Sequence, residues 1–105
     1  MKIVTWNVNS VNVRLPNILK YLSDYKPDVL CLQELKCSED KYPIDEFISA
    51  GYKTIQACQK TYNGVSIISK IQATDSSINP VHVTKDEMRS IAASYNGVRV
   101  INFYV

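Results

Sequence analysis

A chain of 105 residues, 46% hydrophobic and 21% charged, is one domain at most, with material for a modest core. A formal net charge of +2 is too small to imply a nucleic-acid partner by itself, so any such partner must be met by localised charge. No stretch approaches membrane-spanning length and Met1 to Trp6 carries no signal-peptide core, which excludes a membrane span and points to the cytoplasm.

The first predicted element is a strand over Lys2 to Asn7, with Ile3 and Val4 apolar and Trp6 β-favouring. It ends in Asn7-Val8-Asn9-Ser10, rich in turn and cap residues. Leu15, Ile18, Leu19 and Leu22 then fall at i, i+3, i+4 and i+7, one face of a helix, with Pro16 suited to its first turn. Pro27 and Asp28 end that pattern and launch Val29-Leu30-Cys31-Leu32, a run short and apolar enough to be a strand buried on both faces. Strand, helix and strand make a βαβ unit, so the two strands should be parallel, with Asn7 and Glu34 at the same edge of the sheet. In open α/β sheets ligands bind outside the carboxyl ends of strands. Gln33, Glu34 and Lys36 arrive at that place; the plainer alternative is that Glu34 and Lys36 solvate a loop.

Ser38 to Tyr42 reads as a polar loop, and Pro43 to Ala50 as a short helix with Asp45 and Glu46 in its first turn and Gly51 as its stop. Tyr52 to Ala57 and Val65 to Ser69 read as strands, joined through the Asn63-Gly64 turn. Thr74 to Glu87 is polar and reads as loop around Pro80. Ser90 to Tyr95, Asn96-Gly97 and Val98 to Val105 form a second hairpin. The three cysteines, Cys31, Cys37 and Cys58, contain no CxxC pair and read as free thiols of a reducing compartment; Cys31 and Cys37 lack further partners at metal-site spacing.

The segment Pro27-Asp28-Val29-Leu30-Cys31-Leu32-Gln33-Glu34-Leu35-Lys36 resembles the signature of the exonuclease III family of apurinic/apyrimidinic endonucleases: Pro-Asp, apolar residues, Gln-Glu, any residue, Lys. Trp6 to Ser10 is similar to that family's first motif, and Tyr62-Asn63-Gly64-Val65 and Val100 to Val105 follow in family order. The resemblance implies an α/β fold, the N-terminal half of a four-layer α/β sandwich in which two mixed β-sheets pack together with helices outside. Residues 1–105 would be the N-terminal portion of an endonuclease/exonuclease/phosphatase domain, broken off within a strand.

The resemblance also implies chemistry. Glu34 would be a metal ligand, with Asn7 in the metal and phosphate site and Asn9 near the metal; the ion would be Mg²⁺, with Mn²⁺ as the alternative. Tyr104 and Asn7 would act on the scissile phosphate. Lys36, Tyr62 and Arg89 would face double-stranded DNA carrying abasic sites or 3′ ends. These residue types suit such chemistry, because Mg²⁺ prefers oxygen ligands and keeps several waters, and cations attract DNA phosphates whatever the sequence.

Two departures stand out. Asn12 occupies a place where the family usually has Arg, although Arg14 is kept, and the family's later Asp-x-Asn and Asp-His motifs would lie beyond Val105. His82 has no acidic partner at motif spacing, and Asp86 and Glu87 read as loop charges. Three readings therefore stand: a metal-dependent repair nuclease, inactive in this length and completed by a C-terminal half; a non-catalytic fragment or pseudo-enzyme; and a phosphatase of the wider superfamily.

Overall fold

The computed structural model describes residues 1–79 and 87–105; His82 and Asp86, considered above, lie outside the described residues. In chain order the elements are β1 (Ile3–Asn7), α1 (Val11–Tyr25), β2 (Val29–Gln33), a 3₁₀ turn (Glu39–Lys41), α2 (Ile44–Ser49), β3 (Lys53–Ala57), β4 (Val65–Ser69), β5 (Asp75–Ile78), β6 (Ser90–Tyr95) and β7 (Val98–Phe103). They form a four-stranded sheet ordered β1-β2-β4-β3 and a three-stranded sheet ordered β5-β6-β7. β1 and β2 are parallel, with Asn7 beside Gln33, as the βαβ reading requires; the other pairs are antiparallel.

Every residue of β2 is buried, and the alternation of its side chains explains why. Leu30 and Leu32 face α1 and α2, packing with Ile18, Leu22 and Phe47. Val29 and Cys31 face the other way, into a second core with Ile67 of β4 and with Ile91, Ala93 and Tyr95 of β6. The mixed α/β architecture thus has helices on one side of the first sheet and the second sheet on the other, three layers of the expected sandwich.

α1 begins at Val11, so Pro16 stands in its second turn rather than its first. Tertiary contacts start the helix early: the Ser10 and Val11 N–H groups donate to the carbonyls of Glu34 and Leu35, at 2.8 and 3.0 Å, and the Ser10 hydroxyl accepts from the Val13 N–H. Pro16 forfeits one helical hydrogen bond, and the anchored first turn tolerates the loss. Lys26, at φ +47°, closes the helix just before Pro27.

The stretch read as loop contains β5. Its sequence, Asp-Ser-Ser-Ile, is mostly exposed and lacks an apolar pattern; backbone pairing to β6 forms it, which side-chain periodicity could not reveal. β7 ends at Phe103, but the extended chain continues one step, with the Tyr104 N–H donating to the Arg89 carbonyl at 2.7 Å.

Candidate active site

The ends of β2 and β7 and the segments before β4 and β6 meet at an open cleft of about 400 Å³ bounded by Glu34, Lys36, Gln59, Tyr62, Asn63, Glu87, Arg89 and Tyr104. Backbone geometry at this place is unusual. Glu34 and Lys36 both take left-handed conformations, at φ +59° and +53°, on either side of the fully buried Leu35. Left-handed backbone costs an ordinary residue on the order of 1 kcal/mol, and such strain persists where surrounding structure over-determines it. The surroundings here are explicit: Leu35 and Lys36 N–H groups donate to the carbonyls of Gly64 and Asn63, while the Glu34 and Leu35 carbonyls cap α1. Gly64, at φ +89°, lies so close that a Cβ there would stand 2.9 Å from the Cβ of Leu35.

The turn throws Glu34 into the cleft and folds Leu35 inward. The Tyr104 hydroxyl donates to a Glu34 carboxylate oxygen, and the Asn7 side chain is near enough to favour the same carboxylate in its charged form. The Tyr104 bond is the main reason the Glu34 carboxyl is held below its usual range, with Asn7 and the Lys36 charge adding to it against partial desolvation. Reciprocally, the carboxylate pushes the Tyr104 phenol up. Lys36 Nζ donates to Asn9 Oδ1 at 2.6 Å and lies 3.7 Å from Glu34 Oε2. Asn7 Oδ1 accepts from the Asn9 backbone N–H at 3.2 Å, which ties the Asn7 side chain to the turn that carries Asn9. On the opposite wall Arg89 is paired with Glu87, and its guanidinium lies 5.2 Å from the Tyr104 ring centroid. Tyr62 stands at the rim, 68% exposed.

The residues proposed from sequence therefore fall into one neighbourhood. Asn7, Asn9, Glu34, Lys36 and Tyr104 join in a continuous hydrogen-bond and charge network; Tyr62 and Arg89 line the same cleft. For a hard divalent cation the donor set fits: a carboxylate held ionised and two amide oxygens are the ligand types Mg²⁺ or Mn²⁺ takes, with water completing the shell. An ammonium, Lys36 Nζ, already lies against two of these oxygens, which marks the spot as one where positive charge is stabilised. Among the described residues no cluster of three or more His, Cys, Asp or Glu side chains forms a fuller metal cage.

Sequence reasoning missed the pair that holds the site together. Asn102, buried on β7, donates through Nδ2 to the carbonyls of Leu32 and Ser66, both at 2.8 Å, and accepts at 2.7 Å from Gln33 Nε2. Gln33 also donates to the Thr5 hydroxyl at 2.8 Å. These bonds fasten β7 across the sheet interface to β1, β2 and β4. The available signal was a polar residue at an inward position of an alternating strand, where Val100 and Asn102 are the buried members.

Comparison with known proteins agrees with this geometry. Residues 4–105 match the model of the Endonuclease/Exonuclease/phosphatase family. The chain is 35% identical over its whole length to Recombination repair protein 1 of Drosophila melanogaster, covering 16% of that protein. It is 30% identical over 67% of its length to Exodeoxyribonuclease III of Haemophilus influenzae, covering 26% of it. Among solved structures, a 3′ phosphatase from Neisseria bound to product DNA hairpin superposes with a TM-score of 0.94 at 48% identity, over 99% of this chain and 41% of that one. An AP endonuclease from Archaeoglobus fulgidus gives 0.94 at 41% identity, over 100% and 41%. The chain thus spans well under half the length of each of these relatives. With this match over nearly its whole length, the chain belongs to the Endonuclease/Exonuclease/phosphatase family, and its relatives there, named exodeoxyribonuclease III and AP endonuclease, are matched over their N-terminal part.

Proposed function

We propose that this chain supplies the metal-holding and DNA-facing part of a base-excision-repair nuclease that hydrolyses the phosphodiester 5′ to abasic sites, with 3′-exonuclease and 3′-phosphodiesterase activity. The observation that carries the reading is the Tyr104–Glu34–Asn7 constellation, flanked by the cations Lys36 and Arg89 in one open cleft. Glu34, with the amide oxygens of Asn7 and Asn9, would hold Mg²⁺ or Mn²⁺. When bound, the ion would supply Lewis-acid polarisation of a phosphoryl oxygen. In this reading the Tyr104 hydroxyl donates to a phosphate oxygen once the carboxylate has another partner. Lys36 and Arg89 attract the DNA backbone, and Tyr62 offers it a rim contact.

Activation of water needs a base. Among the described residues the cleft's carboxylates are Glu34, hydrogen-bonded by Tyr104, and Glu87, paired with Arg89. In this reading the rest of the site comes from the part of the longer relatives that this chain does not match, a complementing C-terminal half, and the 105 residues by themselves are inactive or nearly so. The Neisseria 3′ phosphatase on its DNA hairpin favours a terminal 3′ phosphate on DNA as a second substrate, in preference to the lipid phosphates of the wider superfamily.

The test uses two duplexes, one with a single abasic site and one with a 3′ phosphate, in Mg²⁺ and in EDTA. The chain alone should leave both intact. Joined to the C-terminal part of a related exonuclease it should cleave in Mg²⁺ only, and Glu34→Ala should lower the rate on the order of a hundredfold or more. Incision by the chain alone, abolished by EDTA and by Glu34→Ala, would refute the inactivity. A joined protein inert on both duplexes would refute the assignment.

A further inference from the structure

We propose that Cys37 and Cys58 form an oxidisable dithiol, a modification site in which peroxide closes an intramolecular disulfide next to two residues of the cleft. An antiparallel bridge between Cys37 and Gln59 brings the two backbones together, and both thiols pack against the core cluster containing Tyr42. Cys37 is buried at 6% exposure, whereas Cys58 is half-buried and gives the pair a route to solvent. The bridge sets Cys37 across from the residue that follows Cys58, so the two thiols are close enough to shift each other's titration in opposite directions. Their proximity lowers the Cys37 thiol, against burial and the Glu39 and Asp40 charges, and raises the Cys58 thiol. The proposed order, with Cys37 attacking and Cys58 resolving, follows those two directions. Cys31 belongs to the other core, between the sheets, where burial pushes its thiol up to about 11.

The chemistry balances with hydrogen peroxide as oxidant. The Cys37 thiolate attacks one peroxide oxygen: an S–O bond forms, the O–O bond breaks, and hydroxide leaves to become water with the Cys58 proton. The Cys58 thiolate then attacks the Cys37 sulfenic sulfur: the S–S bond forms, the S–O bond breaks, and the second oxygen leaves as water with the proton first lost from Cys37. Two electrons pass from the sulfurs to the peroxide. The product ties the residue after Lys36 to the residue before Gln59, two residues that line the cleft. Gln59 Oε1 accepts from the Met88 N–H at 2.9 Å and from Asn63 at 3.2 Å, so the tie reaches the opposite wall. The inference is independent of what the cleft binds.

The full chain is treated with hydrogen peroxide, and its thiols are counted after denaturation. Two of the three should be lost, the intact mass should fall by two hydrogens, and non-reducing peptide mapping should join the Cys37 and Cys58 peptides; dithiothreitol should restore all three thiols. Cys31→Ala should leave the link intact, and Cys58→Ser should stop the reaction at a Cys37 sulfenic acid trapped by dimedone. Survival of all three thiols where free glutathione is oxidised, a link through Cys31, or a link between chains would overturn the proposal. Mapping of the unsubstituted chain decides the matter even where a variant fails to fold.

Discussion

Replacing Asn102 by alanine tests whether the sheet interface is held by the polar contacts beside the cleft. Asn102 makes three buried hydrogen bonds, at 2.7, 2.8 and 2.8 Å, two of them to carbonyls of the facing sheet. At about 1 kcal/mol net for each bond, the substitution should cost about 3 kcal/mol. A small domain has a total stability of roughly 5–15 kcal/mol, so this is a large fraction. With a urea dependence of about 2 kcal/mol per molar, the unfolding midpoint should fall by about 1.5 M. Thr5→Ala removes one partner of Gln33 at an exposed edge and should cost only about 0.5–1 kcal/mol, since Gln33 keeps its bond to Asn102. The measurement is urea unfolding followed by circular dichroism at neutral pH. A midpoint shift below about 0.3 M for Asn102→Ala would refute the reasoning, because it would mean that apolar packing alone registers the two sheets.

Gly64→Ala should destabilise by about 1–3 kcal/mol in the same assay, from the positive φ and the 2.9 Å approach to Leu35 together. The Glu34 carboxyl, lowered in the fold chiefly by the Tyr104 hydroxyl, contributes stability that is complete above the ordinary carboxylate pKa of about 4.3 and is lost as pH falls through its lowered value. Glu34→Gln should therefore flatten the acid limb of the stability–pH curve, and superimposable limbs would contradict the assignment. Asp28, lowered by the Lys2 N–H, titrates in the same acid window and should remain in both proteins. Lys36→Met should weaken binding to duplex DNA uniformly across sequences and reduce the slope of log affinity on log salt by about 1, read by fluorescence anisotropy.

Much of the fold was legible because its elements are signalled locally. The apolar run Val29-Leu30-Cys31-Leu32 could be buried on both faces only as an interior strand, and Asn96-Gly97, at φ +50° and +81°, makes the hairpin its residues announce. β5 was missed because a polar edge strand is stabilised by its neighbour's backbone. The start of α1 was misplaced because the carbonyls that anchor it come from Glu34 and Leu35, beyond the reach of a helical pattern. At the site, residue types were readable but their partners were not. The resemblance gathers these residues at one site, but it does not say that the Tyr104 hydroxyl meets Glu34 across seventy positions, or that Lys36 turns to Asn9.

That long-range meeting has a short-range cause. Gln33 immediately precedes Glu34, Asn102 stands two residues before Tyr104, and the bond between Gln33 and Asn102 fixes the two segments to each other inside the protein. The residues just beyond that bond, carboxylate on one strand end and phenol on the other, then have little choice but to face each other at the surface. The left-handed turns at Glu34 and Lys36 complete the arrangement, because they are held by backbone bonds to Asn63 and Gly64 and not by the charged side chains of the cleft. The strain sits in the backbone, where the core opposes it, so the charged side chains can exchange one partner for another without the turn unwinding. In the proposed function Tyr104 and Lys36 leave Glu34 when a phosphate or a cation is received, and that exchange needs such a separation between the groups that hold the geometry and the groups that act.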